Sequence, residues 1–275
     1  MVIIPKILLV TTSADFSLPL FFAEESTRLI RPTSIDYNSP DKKLDEIFRD
    51  DFDYVYFRDP FNDKAIPDKL IRKNTDRILR RYQLAYKVDG ITSYEDMLFE
   101  DKWRQYRAFS NFMPHTELLS SLDIPNLGSK FIKERISCRA RGVIFSKSDF
   151  PDKADPSNYV VQPRLDIEVE YRVYMIGGEI IKPLAIKSSK TAQDKVRLTG
   201  VKETVPAAIV DIARATYDVT RYDLMGLDIA KTASRYYLLE VNRSSQFKGY
   251  LRHSRLNLAT LLDNYLLTIE RSKVG

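Results

Sequence analysis

Over the first ninety residues, short apolar runs alternate with longer stretches of helical spacing. Ile7 to Thr11, Thr33 to Tyr37 and Asp53 to Phe57 read as strands, and residues 40–49 and 67–83 carry the 3.6-residue periodicity of helices. Strands that alternate with helices predict a small parallel α/β layer. Asp89-Gly90 reads as a turn, and Ser93 with an acid three residues later, Asp96, reads as a helix start. A helix is expected from Asp101 to about Phe112, then a break at Pro114 and Thr116 and a short strand. From Lys130 the period changes to two, with strands expected at Phe131 to Glu134, Gly142 to Phe145 and Tyr159 to Gln162. A long hairpin is expected from Glu168 to Ile186, turning at Gly177-Gly178, because glycine accepts positive φ without steric cost. Val205 to about Thr220 and Leu256 to Arg271 fit amphipathic helices, so the second half reads as α+β.

Composition narrows the class. A chain of 275 residues has room for two or three subdomains. No apolar run approaches the roughly 18 to 20 residues of a membrane span. The opening run Val2 to Val10 is interrupted by Pro5 and Lys6, which fits a first strand better than a signal peptide. A single cysteine, Cys138, allows neither an intrachain disulfide nor a thiolate zinc cluster, and a reducing cytoplasm is the expected setting. His115 and His253, the only histidines, sit in unrelated contexts and give no support to a serine triad or a histidine metal site. The net charge of +5 fits either an acidic partner or a pocket for a polyphosphate. Arg72, Lys73, Arg77, Arg80 and Arg81 form one basic stretch, read as a solvated helix face. Lys130, Lys133, Arg135, Arg139, Arg141 and Lys147 form a second, weighted toward phosphate binding.

The densest candidate chemistry lies near the end. Gly226-Leu227-Asp228-Ile229 is followed by Tyr237-Leu238-Leu239-Glu240-Val241-Asn242-Arg243-Ser244-Ser245. In a strand, Glu240 and Asn242 share a face, with Leu239 and Val241 expected toward a core. An acid and an amide on an apolar strand present hard oxygen donors of the kind Mg²⁺ takes, and Asp228 adds a third if its strand pairs alongside. The alternative is a polar edge strand facing water. Arg58, just past the end of the third strand, is a candidate substrate contact or half of a loop salt bridge.

The frame of Asp228 and Leu238-Leu239-Glu240-Val241-Asn242 closely resembles the metal-binding end of the ATP-grasp superfamily, nearest in flavour to its RimK and glutathione synthetase-like branch. The resemblance spans roughly residues 95–250. It implies an ATP-grasp fold of the α/β (α+β) class, with a small N-terminal parallel α/β domain, a lid subdomain and a C-terminal antiparallel sheet with helices. The corresponding boundaries are 1–90, 91–160 and 161–275. It implies Asp228, Glu240 and Asn242 as metal ligands and Lys102 and Lys133 as the nucleotide lysines. Pro114-His115-Thr116 resembles a structural landmark between them. Val161, Gln162 and Pro163 resemble the adenine hinge. Glu170-Tyr171-Arg172 resembles an acid-x-Arg element, with Arg172 facing phosphate or acyl phosphate and a cross-strand ion pair as the plain alternative. Lys187 and Arg197 are further catalytic candidates, the latter in a loop over 195–200. The phosphate loop departs from the family, having one glycine and two arginines, Arg139 and Arg141, where small residues are usual. Arg243 and Ser244 are candidate substrate contacts, with local turn chemistry as the alternative.

By this resemblance the activity is ligation of a carboxylate to an amine with ATP and Mg²⁺, through an acyl phosphate. The expected partners are a small-molecule or peptide carboxylate and an amine, with room for a protein acceptor. Membrane and nucleic acid are not expected partners. A phosphotransferase acting on a hydroxyl and a non-catalytic basic protein for acidic peptide or RNA stand as alternatives.

Overall fold

In the computed structural model, which describes residues 4–23, 29–58, 60–63, 65–124, 127–137, 142–187 and 198–274, the chain forms three sheets. The first contains β1 (Lys6–Thr11), β2 (Arg31–Asp36), β3 (Tyr54–Phe57) and β4 (Tyr86–Lys87), all parallel, in the order β2-β1-β3-β4. Their connections carry helices α1 (Leu18–Phe22), α2 (Asp41–Ile47) and α3 (Asp68–Arg81). Because the centre of a parallel sheet is covered on both faces, the inner strands β1 and β3 are mainly apolar, and all four residues of β3 are buried, whereas the edge strand β2 is polar and only partly covered. Leu8, Val10, Val55 and Phe57 pack with Leu44, Ile71 and Ile78 on one side. Ile7, Leu9, Tyr54 and Tyr56 face the other way.

Two short helices follow. Helix α4 (Tyr94–Met97) begins with the capping box expected at Ser93 and Asp96. Helix α5 (Lys102–Phe109) is capped by Asp101, whose side chain accepts the Trp103 N–H. Tyr94 and Met97 join the core of the first sheet, whereas Phe109 joins that of the third.

The second sheet is antiparallel, with β5 (Glu117–Leu118), β6 (Lys130–Glu134), β7 (Val143–Ile144) and β8 (Tyr159–Pro163) in the order β5-β8-β6-β7. Its core is small: Leu119, Ile132, Ile144 and Tyr159.

The third sheet holds β9 (Val169–Ile176), β10 (Glu179–Lys187), β11 (Leu198–Lys202), β12 (Leu224–Lys231) and β13 (Tyr236–Asn242), in the order β11-β10-β9-β12-β13. The β9–β10 hairpin turns at Gly177 (φ +58°) and Gly178 (φ +89°), and the rings of Tyr265 and Tyr217 occupy the places where their Cβ atoms would stand. Helix α6 (Ala207–Thr220) covers one face through Ile209, Ile212 and Ala213, which meet Val173, Met175, Leu227, Ile229 and Val241. Helices α7 (Lys248–Ser254) and α8 (Leu258–Val274) then return to the first sheet. Tyr250, Leu258, Leu262 and Leu266 share a core with Ile7, Leu9 and Tyr56 and with Tyr174, Ile176 and Leu224, which joins the first and third sheets.

Two sequence expectations change here. The segment expected as a loop over 195–200 contributes its last residues to β11, which pairs antiparallel with β10 (Lys187 opposite Leu198, Ala185 opposite Val201). In β13 the alternation is interrupted. Asp228 pairs with Glu240 but Ile229 pairs with Leu238, so Leu239 is the extra residue of a β-bulge. The bulge turns Leu238 and Val241 to the core in place of the expected Leu239 and Val241.

Candidate active site

The register of the third sheet gathers charged side chains on the face opposite α6. Arg172 stands opposite Asp228, Asp228 opposite Glu240, Glu170 opposite Lys187, and Asn242 opposite Gly226. Directly opposed residues project to the same side of a sheet. Four adjacent strands therefore present Glu170, Arg172, Lys187, Asp228, Glu240 and Asn242 together, while the intervening apolar residues pack on α6.

Asp228 is the hub. Its side chain is 7% exposed, and it accepts hydrogen bonds from Arg172 Nε and, at 2.9 Å, from Arg172 Nη2, with Lys187 Nζ at 2.9 Å from Oδ2. Burial by itself pushes this carboxyl up, but the Arg172 and Lys187 charges outweigh it and hold Asp228 below the ordinary carboxylate range. Conversely, burial pushes the Arg172 guanidinium down and the Asp228 charge more than reverses that. Lys187 also donates to Glu170. The free end of Arg172 donates to Ser245 Oγ at 2.9 Å. Ser245 approaches so closely that a Cβ on Gly226 would lie 1.9 Å from its hydroxyl oxygen, so position 226 admits only glycine in this arrangement.

Two more cations reach the face from other elements. Lys102, at the first turn of α5, lies 3.5 Å from Glu240 Oε1 and donates to the Ser137 carbonyl (2.9 Å) and hydroxyl (3.2 Å). Lys133 arrives from β6 of the second sheet. Burial lowers its ammonium to about 8, and the fields of Glu240, Glu170 and Asp228 pull against that while Lys102 adds to it. Lys102, Lys133, Arg172 and Lys187 thus confront Glu170, Asp228 and Glu240 in one half-buried array.

The remaining candidates fall into distinct places. Gln162 is buried and donates to Thr116 Oγ1 at 2.8 Å, and Thr116 in turn donates to the Pro114 carbonyl. Val161 pairs with Glu117 on one side and Ile132 on the other, whereas the ladder pairs Gln162 and Pro163 with Phe131 and Lys130. Arg58 is fully buried, donating to Asp15 through Nε (2.6 Å) and Nη2 (3.3 Å), with Phe21, Tyr56 and Phe247 rings around its guanidinium. Arg243 is buried as well, donating to the Phe57 carbonyl, with Asp89 at 3.8 Å. Arg58 is thus paired inside the protein, the salt-bridge alternative, whereas Arg243 is buried with its Nε and Nη2 lacking a hydrogen-bond partner among the described residues. Ser244 donates its backbone N–H to Glu100. Of the second basic stretch, Lys133 joins the array, whereas among the other described members Arg135 donates to Asp101 and the Ser157 carbonyl and Lys147 pairs with Asp123 at the surface. Arg139, Arg141 and Arg197 lie outside the described residues.

Several residues were missed in the sequence. Glu100 sits among Arg243, Glu240 and Lys102, and its carboxyl is raised, by burial first. Gln246 Oε1 accepts the Ser17 N–H (2.8 Å) and hydroxyl (3.1 Å) while its Nε2 donates to Asp15 (2.9 Å), which ties the loop after β13 to the loop after β1. Asp15 is held down at about 2: burial opposes this, and Arg58 overrides it. Gln105 carried a legible signal, because Lys102, Gln105 and Phe109 share the buried face of α5 at helical spacing.

No protein-family model matches the chain, and no curated protein matches its sequence. Solved structures match it along its whole length. The ATP-grasp ligase PsnB in complex with a minimal precursor, Mg and ADP aligns with a TM-score of 0.66 at 16% identity, over 95% of this chain and 96% of that one. The macrocyclase MdnC from Microcystis aeruginosa MRC, bound to precursor peptide MdnA, aligns at 0.65 with 15% identity, over 96% and 99%. D-alanine–D-alanine ligase from Bacillus anthracis with ATP aligns at 0.65 with 12% identity, over 98% and 100%. The chain has the ATP-grasp fold.

Proposed function

We propose that the protein is an ATP-dependent carboxylate–amine ligase whose reaction centre is the charged face of the third sheet. One observation carries this reading: four cations from four elements converge on three carboxylates in a half-buried array between the second and third sheets. An array of this kind, with one positive charge in excess, can exchange its internal ion pairs for a triphosphate and its counter-ions, so that the cations keep anionic partners. Lys102, Lys133, Arg172 and Lys187 are the groups that bind phosphate oxygens, and residues 91–160 form the lid that closes over them, between domains 1–90 and 161–275.

The residues at hand fit Mg²⁺. Asp228, Glu240 and Asn242 supply oxygen from adjacent strands on one face. Asn242 also keeps a buried amide nitrogen with no hydrogen-bond partner, and rotation of that amide exchanges nitrogen for oxygen. Among the described residues no group of three or more His, Cys, Asp or Glu forms an alternative metal site. Bound there, Mg²⁺ supplies charge neutralisation on the phosphates. In the first step a carboxylate oxygen of the substrate bonds to the γ-phosphorus and the bond to ADP breaks, giving an acyl phosphate. In the second the amine bonds to the acyl carbon, phosphate leaves with its bonding electrons, and the amine loses a proton. Neither step needs an enzyme nucleophile, only alignment and charge compensation.

A peptide substrate is supported by the neighbours solved with precursor peptides, PsnB and MdnC. The binding-protein alternative loses footing, because four of the basic residues of α3 are matched by acids at the surface: Lys73 and Arg77 with Asp41, Arg77 with Asp45, Arg81 with Asp51 and Arg72 with Glu95. Calorimetric titration with ATP, with and without Mg²⁺, tests the proposal. Metal-dependent binding that Glu240→Ala plus Asn242→Ala abolishes is expected. Binding that the folded double variant retains would overturn it.

A further inference from the structure

Strand β13 is the last strand of the third sheet, so among the described residues no strand neighbours its outer edge. At one residue of that edge the partner is a side chain. Gln105 Nε2 donates to the Val241 carbonyl at 2.8 Å, and Gln105 Oε1 accepts the Val241 N–H at 2.8 Å. The same nitrogen donates to the Phe99 carbonyl at 3.1 Å. Gln105 is completely buried. Its amide reproduces, at one position, the donor–acceptor pair that another strand would offer, and all of its polar atoms are engaged.

The position is what matters. Val241 is flanked by Glu240 and Asn242, and its own side chain is buried in the core behind the sheet. Holding Val241 by backbone and by core leaves its two neighbours fixed on the opposite face. The bulge at Leu239 lies immediately before Glu240, and a bulge is where a strand bends and its pairing slips. One turn before Gln105 on α5 stands Lys102, 3.5 Å from Glu240. A second tie runs nearby, the Leu238 N–H to the Phe112 carbonyl at 2.9 Å. An apolar residue at 105 would fill the space but leave a buried N–H and C=O of Val241 without partners.

We propose that Gln105 is a positioning residue for the divalent-cation ligands: its side-chain amide pins Val241 and thereby sets the spacing of Glu240 and Asn242 and the distance of both from Lys102. This rests on the reading of Asp228, Glu240 and Asn242 as the ligands. It acts through the strand and touches neither metal nor nucleotide.

The test is a Mg²⁺ titration of ATP binding by the full-length protein, comparing wild type with Gln105→Met and Gln105→Glu. Phe109→Leu, one turn further along the same buried helix face, serves as the packing control. Amide hydrogen exchange at Val241 is followed in parallel. Gln105→Met preserves volume and removes all three hydrogen bonds, and is expected to raise the Mg²⁺ midpoint by about tenfold or more, the scale on which outer-shell partners act, while exchange at Val241 quickens. Gln105→Glu keeps the acceptor for the Val241 N–H and loses both donations, so an intermediate shift is expected. Phe109→Leu lowers stability without moving the midpoint. If Gln105→Met does not fold, Gln105→Glu decides. A wild-type midpoint in any folded Gln105 variant with faster Val241 exchange overturns the proposal and leaves the ligase reading standing. Wild-type protein that binds ATP independently of Mg²⁺, or not at all, overturns both.

Discussion

Two dense groups of opposite charges among the described residues differ in almost everything except density. On α2 and α3, Lys73 and Arg77 meet Asp41 and Asp45, and Arg81 meets Asp51, with the acids 59 to 93% exposed. On the third sheet Asp228 and Lys187 are 7 and 9% exposed and bound to each other and to Arg172 and Glu170. Exposed pairs exchange water for one another at little net gain. Buried ones have surrendered their water and depend on every partner. Burial therefore separates the set that depends on its partners from the set that does not, and the sequence, which shows α3 as its most conspicuous basic run, does not show which set is which.

The sharpest way to break this comparison is to remove the hub. Asp228→Asn keeps the shape but leaves Arg172 and Lys187 buried without their shared charge, and breaking a buried pair from one side costs about 3 to 5 kcal/mol. Urea denaturation is expected to show a loss of that order, and calorimetry the disappearance of Mg²⁺-dependent ATP binding. A stability equal to wild type would mean that the array is wetter than its exposure indicates. Next in size, Gly226→Ala places a methyl 1.9 Å from Ser245 Oγ and 3.3 Å from Arg172 Cδ. Overpacking of this kind costs about 1 to 3 kcal/mol. The variant is expected to weaken ATP binding because the displaced Ser245 releases the Nη1 end of Arg172.

A smaller effect separates the two groups by titration. Lys133 sits at about 8 in the folded protein, against 10.5 for an ordinary lysine. Between those values the unfolded chain holds a proton that the folded protein has lost, so this residue's contribution to stability rises with pH through that window. For binding the sign is reversed. Triphosphate favours the charged ammonium, so affinity is full below pH 8 and falls as pH rises above it, by at most about tenfold per unit from one proton. Lys133→Arg, charged throughout, is expected to flatten that fall. Measuring ATP affinity from pH 7 to 9.5 in both proteins checks it, and parallel profiles would remove Lys133 from the array.

Much of the fold was legible because it depends on period and turn chemistry. The alternation of strand and helix over the first ninety residues, the Ser93–Asp96 box and the Gly177-Gly178 hairpin are local signals that the tertiary structure retains. Parts of the site were legible for the same reason: the strand period puts Glu240 and Asn242 on one face, and the cross-strand pair foreseen as an alternative for Arg172 is its contact with Asp228. The rest turns on non-local facts. A bulge at Leu239 cannot be read from a run of Leu-Leu, since it is set by pairing with β12. Arg58 follows a strand as a substrate contact would, yet Asp15, 43 residues earlier, takes its guanidinium. β11 has no apolar alternation of its own and is a strand because β10 offers it an edge.

The smallest expected effect tests the other side of the comparison. Lys73→Ala and Arg77→Ala together remove the two cations that hold Asp41 and one that holds Asp45, both of them acids open to solvent. Water and salt replace such partners readily. The double variant should therefore unfold at the wild-type midpoint and bind Mg²⁺ and ATP with wild-type affinity, at both low and high ionic strength. A loss of ATP affinity that appears only at low salt would mean that α3 contributes to the long-range field that draws the nucleotide in. It would place function in the exposed group after all, and burial would no longer be what tells the two apart.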